Sequence, residues 1–171
     1  VNYEDLLYEG YAPRGVGLIV EVTTDKKNRA ASEVRSTFSK GGGNLAGAGA
    51  LAFNFKRKGQ FLIAKDKIGE DALTELALEH DAEDIMTEDD HYEIICETAF
   101  YDTLADALSK VGVEADSSEL AYLPNNVVNI GDENSARKIL KLVESLEDLE
   151  DVKAVHGNYD MNESLLEAIS G

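Results

Sequence analysis

The sequence predicts an α+β protein of two small domains, a ferredoxin-like sandwich with a second α+β domain inserted into it. Three observations predict it. First, stretches of period-two alternation are interspersed with stretches of helical spacing, so strands and helices mix along the chain. Second, the order reads β-α-β-β over roughly 16–65, which lacks one helix and one strand of a β-α-β-β-α-β sandwich. A helix at 133–146 and a strand at 152–157 would supply them. Third, charge is unevenly placed: residues 1–65 carry 10 Lys/Arg and 6 Asp/Glu, whereas residues 66–171 carry 6 and 28. The expected domains are therefore 1–66 with 131–171, and an inserted acidic domain over 67–130. Two consecutive domains split near residue 66 are the alternative, because short strands pair plausibly either way.

The elements follow in order. Val16, Leu18, Val20 and Val22 alternate with Gly17, Ile19, Glu21 and Thr23, giving a strand with one strongly apolar face. Thr23-Thr24-Asp25 breaks the pattern, and a helix follows with Ala30, Val34 and Phe38 on one stripe and Asn28 as N-cap. Gly41-Gly42-Gly43 stops that helix, because glycine takes the left-handed turn at a helix end at little cost. Leu51, Phe53 and Phe55 read as a second strand, with both phenylalanines in the core. Lys56-Arg57-Lys58-Gly59 reads as a basic hairpin tip, and Phe61–Ala64 as a third strand.

The acidic portion opens with a helix that turns Leu73, Leu76 and Ala77 inward. Short strands are expected at 84–88 and 92–96, joined by Asp89-Asp90. A helix follows through Leu104, Ala107, Leu108 and Val111, ended by Gly112. Strands near 119–122 and 127–130 flank Pro124-Asn125-Asn126. Asp132 or Asn134 then caps a helix with Ala136, Ile139, Leu140 and Val143 inward. The last strand carries Val152, Ala154 and His156, and a marginal helix closes the sequence from Asn162 to Ala168.

Composition bounds the function. The 171 residues are 43% hydrophobic, enough for packed cores. No apolar run approaches the roughly 20 residues needed to cross a bilayer, and no signal segment opens the chain, so no membrane partner is expected. The single cysteine, Cys96, permits no internal disulfide and reads as a small buried hydrophobe, which fits a reducing, cytoplasmic location. The chain is expected to act as a monomer. The first residue is Val1 rather than Met, so a segment upstream of it is expected.

Catalytic motifs are not found. His80, His91 and His156 lie in different elements without ligand spacing, so no metal or other cofactor is expected. Asp89-Asp90 reads as a solvated turn, and no G-x-S-x-G elbow occurs. The stretch from Gly41 to Gly49 leaves a helix and enters a strand, the reverse of a phosphate cradle. A non-enzymatic protein is therefore expected. The basic residues are the candidate site: Lys26, Lys27, Arg29, Arg35 and Lys40 flank or ride the first helix, and Lys56, Arg57 and Lys58 cluster beyond it. Set against a solvated-face reading, these would contact phosphate, which positions a protein on nucleic acid without reading its sequence. The acidic remainder would be repelled by phosphate and suits a basic protein partner. A small-molecule-binding regulatory role is a further alternative, since this type of sandwich hosts many functions.

At Tyr8-Glu9-Gly10-Tyr11-Ala12-Pro13-Arg14-Gly15-Val16 the sequence resembles the YebC family, also called the YebC/PmpR family. Eukaryotic relatives of that family include the mitochondrial translational activator of cytochrome c oxidase subunit I. The likeness continues through Thr24-Asp25-Lys26-Lys27-Asn28-Arg29 and Phe38-Ser39-Lys40-Gly41-Gly42, then through Leu120-Ala121-Tyr122-Leu123-Pro124 and Asn158-Tyr159-Asp160. Phe53 stands at a tryptophan position of the family. The resemblance implies a three-domain cytoplasmic protein whose basic helical N-terminal domain would precede Val1. It further implies a gene-expression factor, either a transcriptional regulator that binds DNA or a ribosome-associated translation factor, with no catalytic residue.

Overall fold

The computed structural model describes residues 2–170. In chain order they form β1 (Glu4–Tyr11), β2 (Gly17–Thr24), α1 (Lys27–Lys40), β3 (Asn44–Leu45) and β4 (Phe55–Ala64). Then come α2 (Glu70–Glu79), β5 (Asp84–Thr87), β6 (His91–Cys96), α3 (Tyr101–Lys110) and β7 (Ser117–Pro124). Last are β8 (Val128–Ile130), α4 (Glu133–Glu147), β9 (Val152–Gly157), β10 (Tyr159–Met161) and α5 (Glu163–Ser170). The protein is α+β throughout, and it divides into two compact units. The outer unit runs up to Lys56 and resumes at Leu123; the inner unit is Arg57–Tyr122.

In the outer unit four strands lie in the order β3-β1-β2-β9. The β1–β2 hairpin is antiparallel from Glu4↔Thr24 to Tyr11↔Gly17. Strand β9 returns antiparallel to β2, with Leu18 opposite Gly157 and Val20 opposite Val155. Because β3 is antiparallel to β1, it runs parallel to β2, and α1 joins those two strands across the intervening β1. This is a split β-α-β arrangement. Leu18, Val20 and Val22 of β2 meet Ala30, Val34 and Phe38 of α1 and Ala136, Ile139, Leu142 and Leu146 of α4 in one core. The period-two and helical spacings explain it: each element turns one apolar stripe toward the same interior. Burying each Val, Leu, Ile or Phe among them stabilises the unit by about 1.5–3 kcal/mol before the conformational entropy that opposes it.

The inner unit has the chain path β4-α2-β5-β6-α3-β7 and the sheet order β5-β6-β4-β7. That is the β-α-β-β-α-β ferredoxin-like path itself. Phe61 and Ile63 of β4, Tyr92, Ile94 and Cys96 of β6, Leu73 and Ala77 of α2 and Leu104 and Leu108 of α3 form its core. Gly59 marks how tightly it closes. A Cβ on Gly59 would lie 2.7 Å from Cys96 Sγ and 2.8 Å from the Tyr101 ring.

The strand assignment differs from the sequence reading in one consequential place. The β-α-β-β unit expected over 16–65 does not form, because 55–64 is a single strand and it belongs to the inner sheet. Lys56-Arg57-Lys58 is therefore not a hairpin tip but the start of β4. The strand that completes the outer sheet is β1, whose polar and glycine residues obscure its alternation. The unit boundaries accordingly fall at 56/57 and 122/123, inside β4 and β7, rather than at 66/67 and 130/131. Phe53 lies in a 3-10 turn at Ala52–Asn54 and is 73% exposed, not in the core. Asn28 is the second residue of α1 rather than its cap; the Thr24 hydroxyl accepts from the Lys26 N–H at 3.0 Å instead. Asp132 does cap α4, accepting from the Ser135 N–H at 2.8 Å.

Candidate functional site

The eight basic residues singled out in the sequence divide by environment. Lys26, Lys27, Arg35 and Lys40 are exposed along α1 and its start, and form no ion pair among the described residues. Arg29 is different. Its guanidinium lies 3.1 Å from Asp151 Oδ2 and 4.0 Å from Asp25 Oδ1. The same Asp151 oxygen accepts from the Thr24 hydroxyl at 2.9 Å. The Thr24 hydrogen bond, and then Arg29, hold the Asp151 carboxyl below the usual carboxylate range. Arg29 is thus a tie between α1 and the turn before β9.

The β4 residues divide in the same way. Lys58 Nζ sits 2.8 Å from Glu83 Oε1 and 2.7 Å from Glu97 Oε1, and its side chain is only 12% exposed. Those two carboxylates, Glu83 first, raise the Lys58 pKa. A lysine clamped between two acids presents no free positive charge to phosphate. Arg57 lies over the Tyr122 ring, 5.9 Å from its centroid, and Lys56 is exposed.

Charge by folded unit differs from charge by sequence half. The inner unit, residues 57–122, carries 5 Lys/Arg and 18 Asp/Glu, net −13. The outer unit carries 11 and 16, net −5. Within that outer unit, positive charge is concentrated locally. A cleft of about 690 Å³ is lined by Pro13, Thr37, Lys40, Gly41, Gly42, Lys138, Lys141, Leu142 and Ser145. Three lysines line it, and no acidic residue does.

The local sequence builds this cleft. Helix α1 ends with Gly43 N–H donating to Phe38 C=O at 2.9 Å and Gly42 at φ 83°, a Schellman-type stop that only glycine takes readily. Lys40 in the last turn complements the negative end of the helix dipole. Lys138 and Lys141 stand three residues apart on the exposed side of α4, beside Leu142, whose buried side chain joins the core and also lines the cleft. Pro13 comes from a turn closed by Ala12 N–H donating to Val16 C=O at 2.8 Å. Its neighbour Arg14, at φ 69°, reaches to 3.8 Å from Asp132.

The sequence reading named Lys40 but missed Lys138 and Lys141. They lie in the acidic stretch, where an overall charge count conceals them. A local count would have found them, since Arg137, Lys138 and Lys141 are half of the 6 basic residues after position 65. No group of three or more His, Cys, Asp or Glu suited to a metal occurs among the described residues. Cys96 is buried and burial pushes its thiol pKa up, which makes it a poor nucleophile. No helix among the described residues is long and apolar enough to cross a membrane.

Comparison with known proteins agrees with the fold and locates the chain among them. Residues 3–159 match the family described as "TACO1/YebC second and third domain". A "Probable transcriptional regulatory protein" of Persephonella marina is 44% identical over 171 residues, covering 99% of this chain and 68% of that protein. Another of the same name, from Opitutus terrae, is 46% identical over 168 residues, again covering 68% of its length. The solved "Conserved Hypothetical Protein Aq1575 from Aquifex Aeolicus" superposes with a TM-score of 0.83 at 37% identity, over 94% of this chain and 66% of that one. The chain thus spans about two thirds of the length of these relatives. With that match along nearly its whole length, the chain belongs to the YebC family, in the region described as the second and third domains.

Proposed function

We propose that this protein is a non-enzymatic gene-expression factor that engages nucleic acid, bare or within a ribonucleoprotein such as the ribosome, through the outer unit. The observation that carries this reading is the convergence of Lys40, Lys138 and Lys141 on one cleft without a carboxylate, in a chain of net charge −18. Such a cleft attracts phosphate locally while the remaining surface repels it, which limits where and how tightly a strand lies. Lys26, Lys27 and Arg35 extend the same positive character along α1, with Lys56 on β4 as a further cation. Arg29 and Lys58 drop out of the contact set, since carboxylates already occupy them. The names of the relatives, probable transcriptional regulatory proteins, support a role in gene expression.

The test is the triple charge reversal Lys40→Glu, Lys138→Glu and Lys141→Glu in the full-length protein. Affinity for RNA or DNA is expected to fall, and the slope of log affinity against log salt to flatten by up to about three phosphate contacts. Unchanged affinity and slope in a folded variant would remove the cleft from the interface. A second reading rests on the inner unit, whose net −13 suits a basic protein segment. It predicts a partner captured by residues 57–122 whose binding weakens with salt.

A further inference from the structure

Glu9 is a buried carboxylate, 4% exposed, that makes no ion pair among the described residues. It accepts instead from three backbone N–H groups: Gly49 at 2.6 Å on Oε2, and Leu51 at 2.7 Å and Ala52 at 2.6 Å on Oε1. Its own carbonyl accepts from the Ala46 N–H at 2.8 Å. Gly49 takes φ 83°, which lets the chain fold around the carboxylate. From the other side the Asn125 N–H donates to the Asn54 C=O at 2.7 Å, and Asn125 Nδ2 approaches the Phe53 C=O at 3.4 Å. The loop between β3 and β4 is therefore held at both ends and through its middle.

What this fixed loop displays is Phe53, 73% exposed, between a buried Leu51 and a buried Phe55. A lone exposed apolar residue is ordinary. A ring projecting from backbone fixed by a dedicated buried carboxylate is not, because the ordering cost of a contact has already been met in the free protein. The neighbourhood points to an anionic partner with flat faces. Lys56 follows three residues later, exposed and without an ion pair among the described residues. Strand β1 links the loop to the lysine cleft, since Glu9 holds the loop and Pro13, four residues on, lines the cleft.

We infer that Phe53 is a stacking platform for an unpaired nucleobase of a single strand whose phosphates run past Lys56 toward the lysine cleft. This rests on the nucleic-acid reading above and deepens it, from phosphate attraction to recognition of an unstacked base.

The experiment compares the full-length protein with Phe53→Ala and Phe53→Trp, using a short single-stranded RNA bearing 5-iodouridine and the same sequence as a duplex. Thermal midpoints control for folding, since substitution of an exposed side chain changes stability little. Phe53→Ala is expected to weaken single-strand binding about tenfold with an unchanged salt slope, within the range for one lost base stack. Phe53→Trp is expected to restore it, duplex binding to be insensitive, and the photocrosslink to map to residue 53. If single-strand affinity is unchanged in Phe53→Ala and the crosslink maps elsewhere, the stacking role is wrong while the nucleic-acid reading stands. If the wild-type protein binds neither RNA nor DNA, both fall together.

Discussion

Arg29 and Asp151, 122 residues apart in sequence, are joined by a 3.1 Å charge-assisted hydrogen bond that fastens α1 to the turn entering β9. The Thr23 N–H also donates to the Asp151 carbonyl at 3.0 Å, so the end of β2 and the return of the chain are bound together twice. Arg29 sits in the basic run at the helix start, yet its charge is committed to the fold. Arg29→Gln is therefore expected to lower the thermal midpoint while leaving the salt slope of nucleic-acid binding unchanged. Arg35→Gln, at an exposed position of the same helix without an ion pair among the described residues, is expected to leave the midpoint unchanged and to flatten the slope. Calorimetry and salt-titrated binding on the two variants separate the roles.

Acid sensitivity follows from two carboxyls. Asp132 is held low by the Ser135 amide it caps, and Asp151 by Thr24 and then Arg29. Both folded-state values lie below the unfolded ones, so their contribution is fully present above the ordinary aspartate range near pH 4. It is lost as pH falls below that range through the folded values. Urea midpoints are expected to show no pH dependence from these groups between about pH 5 and 7, then a decline below pH 4. Asp151→Asn is expected to be less stable at neutral pH and to decline less steeply in acid. An equally steep acid limb in that variant would assign the decline to other carboxyls.

Much of the fold was legible because apolar stripes are local. The β2 alternation and the α1 and α4 stripes identify the outer core directly, and β9 pairs antiparallel along the edge of β2 that β1 leaves open. Strand β1 was not legible, because Glu9 and Gly10 interrupt its pattern for reasons found elsewhere in the fold. Glu9 faces the loop amides, and a Cβ on Gly10 would sit 2.6 Å from the Phe38 ring. Phe53 was misread for a related reason: alternation at Leu51, Phe53 and Phe55 imitates a strand, while Glu9 imposes a turn there. The candidate site was half legible. Lys40 announces itself beside the helix stop, but its convergence with Lys138 and Lys141 needs the packing of α1 on α4.

The glycines after α1 are not equivalent. A Cβ on Gly43 would lie 2.0 Å from the Tyr11 carbonyl oxygen, which is backbone and cannot step aside. At Gly47 a Cβ would meet nothing within 4 Å, and the φ there is ordinary. Gly43→Ala is expected to destabilise by about 3 kcal/mol or more, since strand β3 must leave β1 to admit the methyl group. Gly47→Ala is expected to be neutral or to stabilise by up to about 1 kcal/mol, by restricting the unfolded chain. Chemical denaturation of the two variants measures both, and equal effects would mean the β1–β3 edge yields freely.

Glu9→Gln tests whether loop order matters for function as well as for stability. The carboxylate offers acceptor oxygens on both sides, and three N–H groups use them. Glutamine keeps the shape but replaces one oxygen with an NH₂ donor, which then faces an N–H group. Either Gly49 on one side or Leu51 and Ala52 on the other loses its acceptor. Leaving a buried donor unsatisfied costs about 1–3 kcal/mol, so the midpoint falls without loss of the fold. Amide exchange is expected to speed up at Gly49, Leu51 and Ala52 and to stay slow in β2 and α4, because the damage is local. Single-strand binding is then expected to weaken although Phe53, Lys56 and the three cleft lysines are intact, since the ring must be ordered at the moment of contact. A variant with faster exchange in the loop and full affinity would show that Glu9 serves stability alone, and that the position of the ring is set by what it binds.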